Sequence, residues 1–117
     1  MLTAEHSQLI EQLKAALGAN QVLRGENLQA YEQDWRKRYS GRALAVVRPG
    51  DVHEVARVVQ LCAATGVSIV PQGGNTGLVG GGVPDDSGNQ IVLNLQRLNR
   101  IRAIDADNLT LTAEAGC

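Results

Sequence analysis

Leu9, Ile10, Leu13 and Leu17 recur at helical spacing between polar neighbours and predict an amphipathic helix over residues 3–17. Thr3 is its expected N-cap, Glu5 lies in the first turn where a negative charge is favoured, and Gly18 provides the stop. Residues 19–42 lose this periodicity and read as a polar connector. The chain therefore divides into residues 1–38, helix and connector, and residues 39–117, where strand and helix patterns alternate. The apolar run Ala43-Leu44-Ala45-Val46-Val47 predicts a buried strand closed by Pro49-Gly50. Asp51 then caps a helix, with Glu54 three residues on as in a capping box. The expected buried stripe of that helix is Val52, Val55, Ala56, Val59, Cys62 and Ala63, and Gly66 ends it. Residues 67–70 form the next expected strand, with Pro71 as its terminator. Strand, helix and strand within about 28 residues make a βαβ unit, right-handed with parallel strands. After a long loop come three further strand candidates, residues 91–95, 100–104 and 109–115. The turn chemistry of Asp105-Ala106-Asp107-Asn108 makes the last two a hairpin.

Composition changes this picture in a few respects. With 117 residues, 44% of them apolar and 20% charged, the chain is an ordinary globular sequence with a modest core. A net charge of -1 gives no global field for nucleic acid, so any bound anion must be held locally. One Trp, two Tyr and no Phe leave too few aromatic faces for a base-stacking platform. No apolar run approaches the roughly 18 residues of a membrane span, and Met1-Leu2-Thr3-Ala4-Glu5-His6 lacks the basic start and apolar run expected of a signal peptide. Cys62 and Cys117 lack the spacing of a disulfide framework or a zinc site, which fits a reducing cytoplasm. The chain stops on Gly116-Cys117 directly after a strand pattern, and is expected to be truncated.

The candidate chemistry lies in residues 71–82. Seven of the 13 glycines fall between Gly73 and Gly88, within Pro71-Gln72-Gly73-Gly74-Asn75-Thr76-Gly77-Leu78-Val79-Gly80-Gly81-Gly82 and its extension. Glycine permits positive φ, so that successive N–H groups can converge, and it removes the Cβ that would keep a ligand at a distance. Asn75 and Thr76 add hydrogen-bonding side chains. No Lys, Arg or His occurs from Pro71 to Gly88, so a phosphate here must be held by amide dipoles. The loop lacks the Gly-Lys-Ser/Thr of a P-loop. Gly80 and Gly82 start a G-x-G that Asp85 breaks, and no Val-Ala-Ile-Lys strand follows as in a kinase. The alternative is an Ω-loop without a ligand. The patch Asp34-Trp35-Arg36-Lys37-Arg38-Tyr39 reads as a solvated connector with Trp35 as a packing anchor, or as a small anion or partner site. His6 and His53 sit on helices and are not expected to be catalytic.

Residues 71–81 resemble the pyrophosphate loop of the vanillyl-alcohol-oxidase (PCMH) type FAD-binding domain. The D-2-hydroxy-acid dehydrogenase branch is the most similar: D-2-hydroxyglutarate dehydrogenase, D-lactate dehydrogenase and the glycolate oxidase FAD subunit. Asp34-Trp35, Gly41, Val47-Arg48-Pro49, Glu54-Val55, Val83-Pro84, Leu98-Asn99-Arg100-Ile101 and Glu114-Ala115-Gly116-Cys117 extend the resemblance over residues 31–117. It implies an α+β fold, the first subdomain of an FAD domain that is incomplete here. It implies that Pro71, Gln72, Gly73, Gly74, Asn75, Thr76 and Gly77 line the FAD diphosphate, with Gly80 and Gly81 completing the turn. Some relatives carry a His bonded to the flavin after the Gly-Gly pair. Asn75 stands there, so the FAD is expected to be non-covalent. The implied reaction is oxidation of a small 2-hydroxy acid to the 2-oxo acid, with a separate electron acceptor, no catalytic residue or metal ligand in this chain, and room for a homo-oligomer. The competing readings are a stand-alone nucleotide- or phosphate-binding module, or a subunit that completes another chain's sheet.

Overall fold

A computed structural model describes residues 2–26 and 28–117. Helix α1 spans Ala4–Leu17. Thr3 caps it by accepting the His6 N–H at 3.0 Å, and Leu9, Ile10, Leu13 and Leu17 are buried as their spacing requires. A single 3-10 turn, Ala19–Gln21, leads into strand β1, Val22–Leu23, which pairs antiparallel with β2, Ala43–Val47. The connector reading missed β1, since two residues cannot display a period. Between them lies the one-turn helix α2, Gln29–Glu32.

Helix α3, Val52–Thr65, follows β2. Asp51 accepts the Glu54 N–H at 2.8 Å, and Glu54 returns a bond to the Gly50 N–H at 2.7 Å, one residue before the cap. The buried stripe differs from expectation. Val58, Leu61 and Cys62 face the core with Val55 beside them, while Val52 and Val59 are 51% and 45% exposed. Two apolar rows at helical spacing run along α3. The row carrying Val58 and Leu61 meets α1 and the sheet, and sequence spacing alone does not choose between the rows.

Strand β3 spans Ile69–Gln72, so Pro71 lies inside the strand instead of ending it. Strand β4, Gln90–Asn94, runs parallel to both β2 and β3, and the sheet order is β1-β2-β4-β3. The two strands of the expected βαβ unit are thus parallel, with β4 seated between them. Proline is tolerated because β3 is an edge strand. Ile91 N–H bonds to Ser68 O and Leu95 N–H to Gln72 O, so the ladder uses alternate residues and the Pro71 nitrogen faces the open side.

Helices α1 and α3 cover one face of the sheet, with Ala45, Val47, Ile91 and Leu93 beneath them. Leu28, with Tyr31 of α2, packs on Val46 and Val92 on the opposite face. Cys62 is fully buried, and burial pushes its thiol up to about 11. A thiol reagent is therefore expected to label the exposed Cys117 in the folded chain and Cys62 only in denaturant. A thiol count of two under native conditions would contradict this burial.

Strands β5, Ile101–Asp105, and β6, Thr110–Ala113, form an antiparallel hairpin separate from the main sheet, with every residue exposed. Asp105 accepts the Asn108 N–H and side-chain amide within the turn, which holds its carboxyl below the usual range. Glu114 ties the hairpin base to the Arg100 N–H at 3.0 Å and to Arg102 at 2.9 Å, and both contacts lower its carboxyl likewise.

Candidate functional site

The glycine-rich loop leaves the C-terminal end of β3, where ligands of parallel sheets are bound. Its frame is built from side-chain amides. Gln72 is 3% exposed, and its Nε2 donates to Tyr31 O at 2.7 Å and Gly82 O at 2.8 Å, while its Oε1 accepts from Asn94 Nδ2 at 3.2 Å. One side chain thus closes the loop on itself and fastens it to α2 and β4. Asn75 takes the left-handed backbone at φ 58 and donates to the carbonyls of Ala30 and Gln33. Gly80 has φ 79, with the Tyr39 ring so near that a Cβ would lie 3.0 Å from it. At the exit, Arg42 N–H bonds to Asp85 O at 2.8 Å, and Ser87 holds the Asp85 carboxyl below its ordinary value through two hydrogen bonds.

These contacts enclose a cavity of about 250 Å³. Of the nine residues expected to meet a cofactor, Gln72, Gly73, Gly74, Asn75, Thr76, Gly77 and Gly80 line it, whereas Pro71 and Gly81 do not. Gly82, Val83 and Asp34 complete the wall. Asp34 is 4% exposed. Its Oδ1 accepts the N–H groups of Arg38 at 2.7 Å and Tyr39 at 3.0 Å, and its Oδ2 is buried without a partner among the described residues. Asp34 was not among the nine residues expected at the cofactor, although it lies in the patch 34–39 that offered a small anion site, because it reaches the cavity only through the folded turn 34–39. That turn also corrects the expectation for Trp35, which is 69% exposed and anchors no core. His6 and His53 lie on α1 and α3 and line no part of the cavity. Among the described residues, no cluster of three His, Cys, Asp or Glu is placed to hold a metal ion, and no helix is long and apolar enough to cross a membrane.

The loop glycines divide by cause. Gly80 alone of the six between Gly73 and Gly82 has positive φ and a crowded Cβ direction. A Cβ at Gly74, Gly77 or Gly81 would meet nothing within 4 Å, and at Gly73 or Gly82 only ordinary contacts. Neither backbone conformation nor internal packing calls for glycine at these five positions. What it leaves at Gly74 and Gly77 is bare backbone facing a cavity, with no cationic side chain in the loop itself. That arrangement suits an anion approached by amides, and the diphosphate of a dinucleotide has that chemistry.

Residues 43–117 match the FAD binding domain family, and the chain belongs to it. Over 112 residues it is 34% identical to the mitochondrial D-2-hydroxyglutarate dehydrogenase of Arabidopsis thaliana, covering 95% of this chain and 20% of that protein. Over 90 residues it is 42% identical to the D-2-hydroxyglutarate dehydrogenase of Xanthomonas citri pv. viticola, covering 77% of this chain and 19% of that protein. The chain thus spans about a fifth of the length of these relatives. Among solved structures it is similar to the 4-ethylphenol oxidase of Gulosibacter chungangensis, with a TM-score of 0.73 and 23% identity over 91% of this chain and 21% of that one. The expected fold, part of an FAD-binding domain of the p-cresol methylhydroxylase type, is borne out.

Proposed function

We propose that residues 71–82 hold the diphosphate of a non-covalently bound FAD, in a polypeptide that oxidises a D-2-hydroxy acid to the 2-oxo acid. The observation that carries this reading is that Gly73, Gly74, Gly77 and Gly82, which neither the fold nor the backbone requires as glycine, border a cavity at the C-terminal end of β3. The family and the names of the relatives support FAD as the dinucleotide and D-2-hydroxyglutarate, D-lactate or glycolate as the substrate class. Gly73, Gly74, Thr76 and Gly77 present backbone to the diphosphate, and Gly80 turns the chain, with Gly81 behind it. Gln72 and Asn75 act on the frame, since their amides are spent on carbonyls of α2 and its surroundings. Asn75 offers no ring nitrogen for a bond to the flavin, which supports non-covalent attachment. When bound, FAD accepts the hydride, and a separate acceptor reoxidises it. The residues that bind the hydroxy acid lie outside this chain in the proposal. A reducing compartment such as the cytoplasm rests on two free thiols alone.

The test is a chimera in which residues 1–117 replace the matching segment of the Xanthomonas citri enzyme. It is expected to be yellow, to release intact FAD on acid denaturation, and to oxidise D-2-hydroxyglutarate. Gly74→Val should leave the thermal stability of the FAD-free chimera unchanged, since its Cβ meets open space. Its affinity for FAD should fall more than about tenfold, because a branched side chain then occupies the ligand's approach. Undiminished FAD affinity in the variant would remove the loop from the site.

A further inference from the structure

A second cleft of about 440 Å³ adjoins the glycine cavity and shares Asp34, Gly74 and Asn75 with it. Gln33, Trp35 and Lys37 are among the residues that line it. Trp35 is the single tryptophan of the chain, and its indole is turned to solvent. The turn beneath it is nevertheless well tied. Asp34 receives the N–H groups of Lys37, Arg38 and Tyr39, and Gln33 pairs with Ser40. Lys37 takes the left-handed backbone at φ 59, a conformation that non-glycine residues adopt at a cost. Arg36, Lys37 and Arg38 are exposed in succession, and none of them joins an ion pair among the described residues.

We propose that this cleft takes the planar aromatic ring of the nucleotide whose phosphates lie on the glycine loop, the ring stacking on Trp35. Lys37 supplies the positive charge that the loop itself lacks. The inference rests on the FAD reading above and adds two binding residues to it. An indole face gains from stacking against a flat heterocycle, and an ammonium beside the cavity attracts the adjoining phosphates. The shared border at Gly74 sets ring site and phosphate site side by side, as a nucleotide requires. Adenine and the flavin ring are both flat and both linked to a phosphate through a sugar, so the test separates them.

The 117-residue chain is equilibrated with FAD, ADP, FMN and inorganic pyrophosphate. FAD retention is followed by dialysis, affinities by calorimetry and the single indole by its emission. FAD should be retained, and Trp35→Ala should weaken FAD about tenfold without altering pyrophosphate binding. A parallel loss for ADP, with a change in Trp35 emission on adding ADP to the parent chain, identifies adenine as the ring. A parallel loss for FMN identifies the flavin; affinity decides this arm, since energy transfer to flavin quenches an indole without contact. Lys37→Gln should weaken FAD and pyrophosphate severalfold at low ionic strength, with the difference fading at high salt. If FAD is retained while Trp35→Ala binds all four ligands as the parent does, the ring site falls and the loop reading stands. Where the chain alone loses FAD, the same affinities are compared in the chimera, and loss of FAD there overturns both.

Discussion

An alanine at Gly41 is expected to destabilise the fold by about 3 kcal/mol, lowering the melting temperature by about 10–15 °C in a chain of this size. The added Cβ would lie 1.9 Å from Pro84 O, 2.5 Å from Asp85 O and 2.7 Å from the Pro84 carbonyl carbon. All three are backbone atoms, so no side chain can swing aside. Gly41 N–H bonds to Glu32 O and Arg42 N–H to Asp85 O, which holds the segment on both sides and blocks relief by a small shift. Relief would have to come from the exit of the glycine loop, and the frame of the candidate site would move with it. Thermal unfolding followed by circular dichroism measures the effect. A shift of only a degree or two would mean that Pro84 and Asp85 are more yielding than their contacts indicate.

Gln72→Glu should be at least as damaging at neutral pH, by about 3–5 kcal/mol, because it leaves a buried charge uncompensated. The change is nearly isosteric, yet it sets a carboxylate oxygen against Tyr31 O and Gly82 O, where an amide now donates to both. Burial and the two carbonyls raise the introduced carboxyl's pKa in the folded chain above its unfolded value of about 4.3. The folded state then binds more protons than the unfolded state across the interval between those values. The penalty therefore grows as pH rises through that interval and shrinks towards pH 4, where the protonated acid donates again. Guanidinium unfolding midpoints of variant and parent at pH 4 and pH 7.5 measure it. A gap of equal size at both pH values would show that the position is wetter than the structure has it.

Elements fixed by short-range chemistry were legible from the residues. The Thr3 and Asp51 caps, the run Ala43–Val47 and the turn Asp105 to Asn108 each depend on neighbours within a few positions. Pro71 was misjudged because its tolerance depends on β3 being an edge strand, and strand order is not a local property. The stripe of α3 was misjudged because two apolar rows were available and α1 selects one of them. The glycine loop stood out in sequence through composition alone. The division of labour inside it did not, since Gln72 and Asn75 find partners 41 and 42 residues away, at Tyr31 and Gln33. Asp34 and Trp35 owe their places beside the loop to the same long-range docking of the 34–39 turn.

Pro71 also bears on how copies of this protein can meet. A foreign strand laid along that margin of the sheet would find a rung with no donor at the root of the loop, and the opposite margin offers only the two residues of β1. Templated fibre-like stacking through the main sheet is thereby discouraged at both borders. The free backbone edges that remain open to another strand belong to the separate hairpin of β5 and β6, which stands apart from the glycine loop in the sheet order.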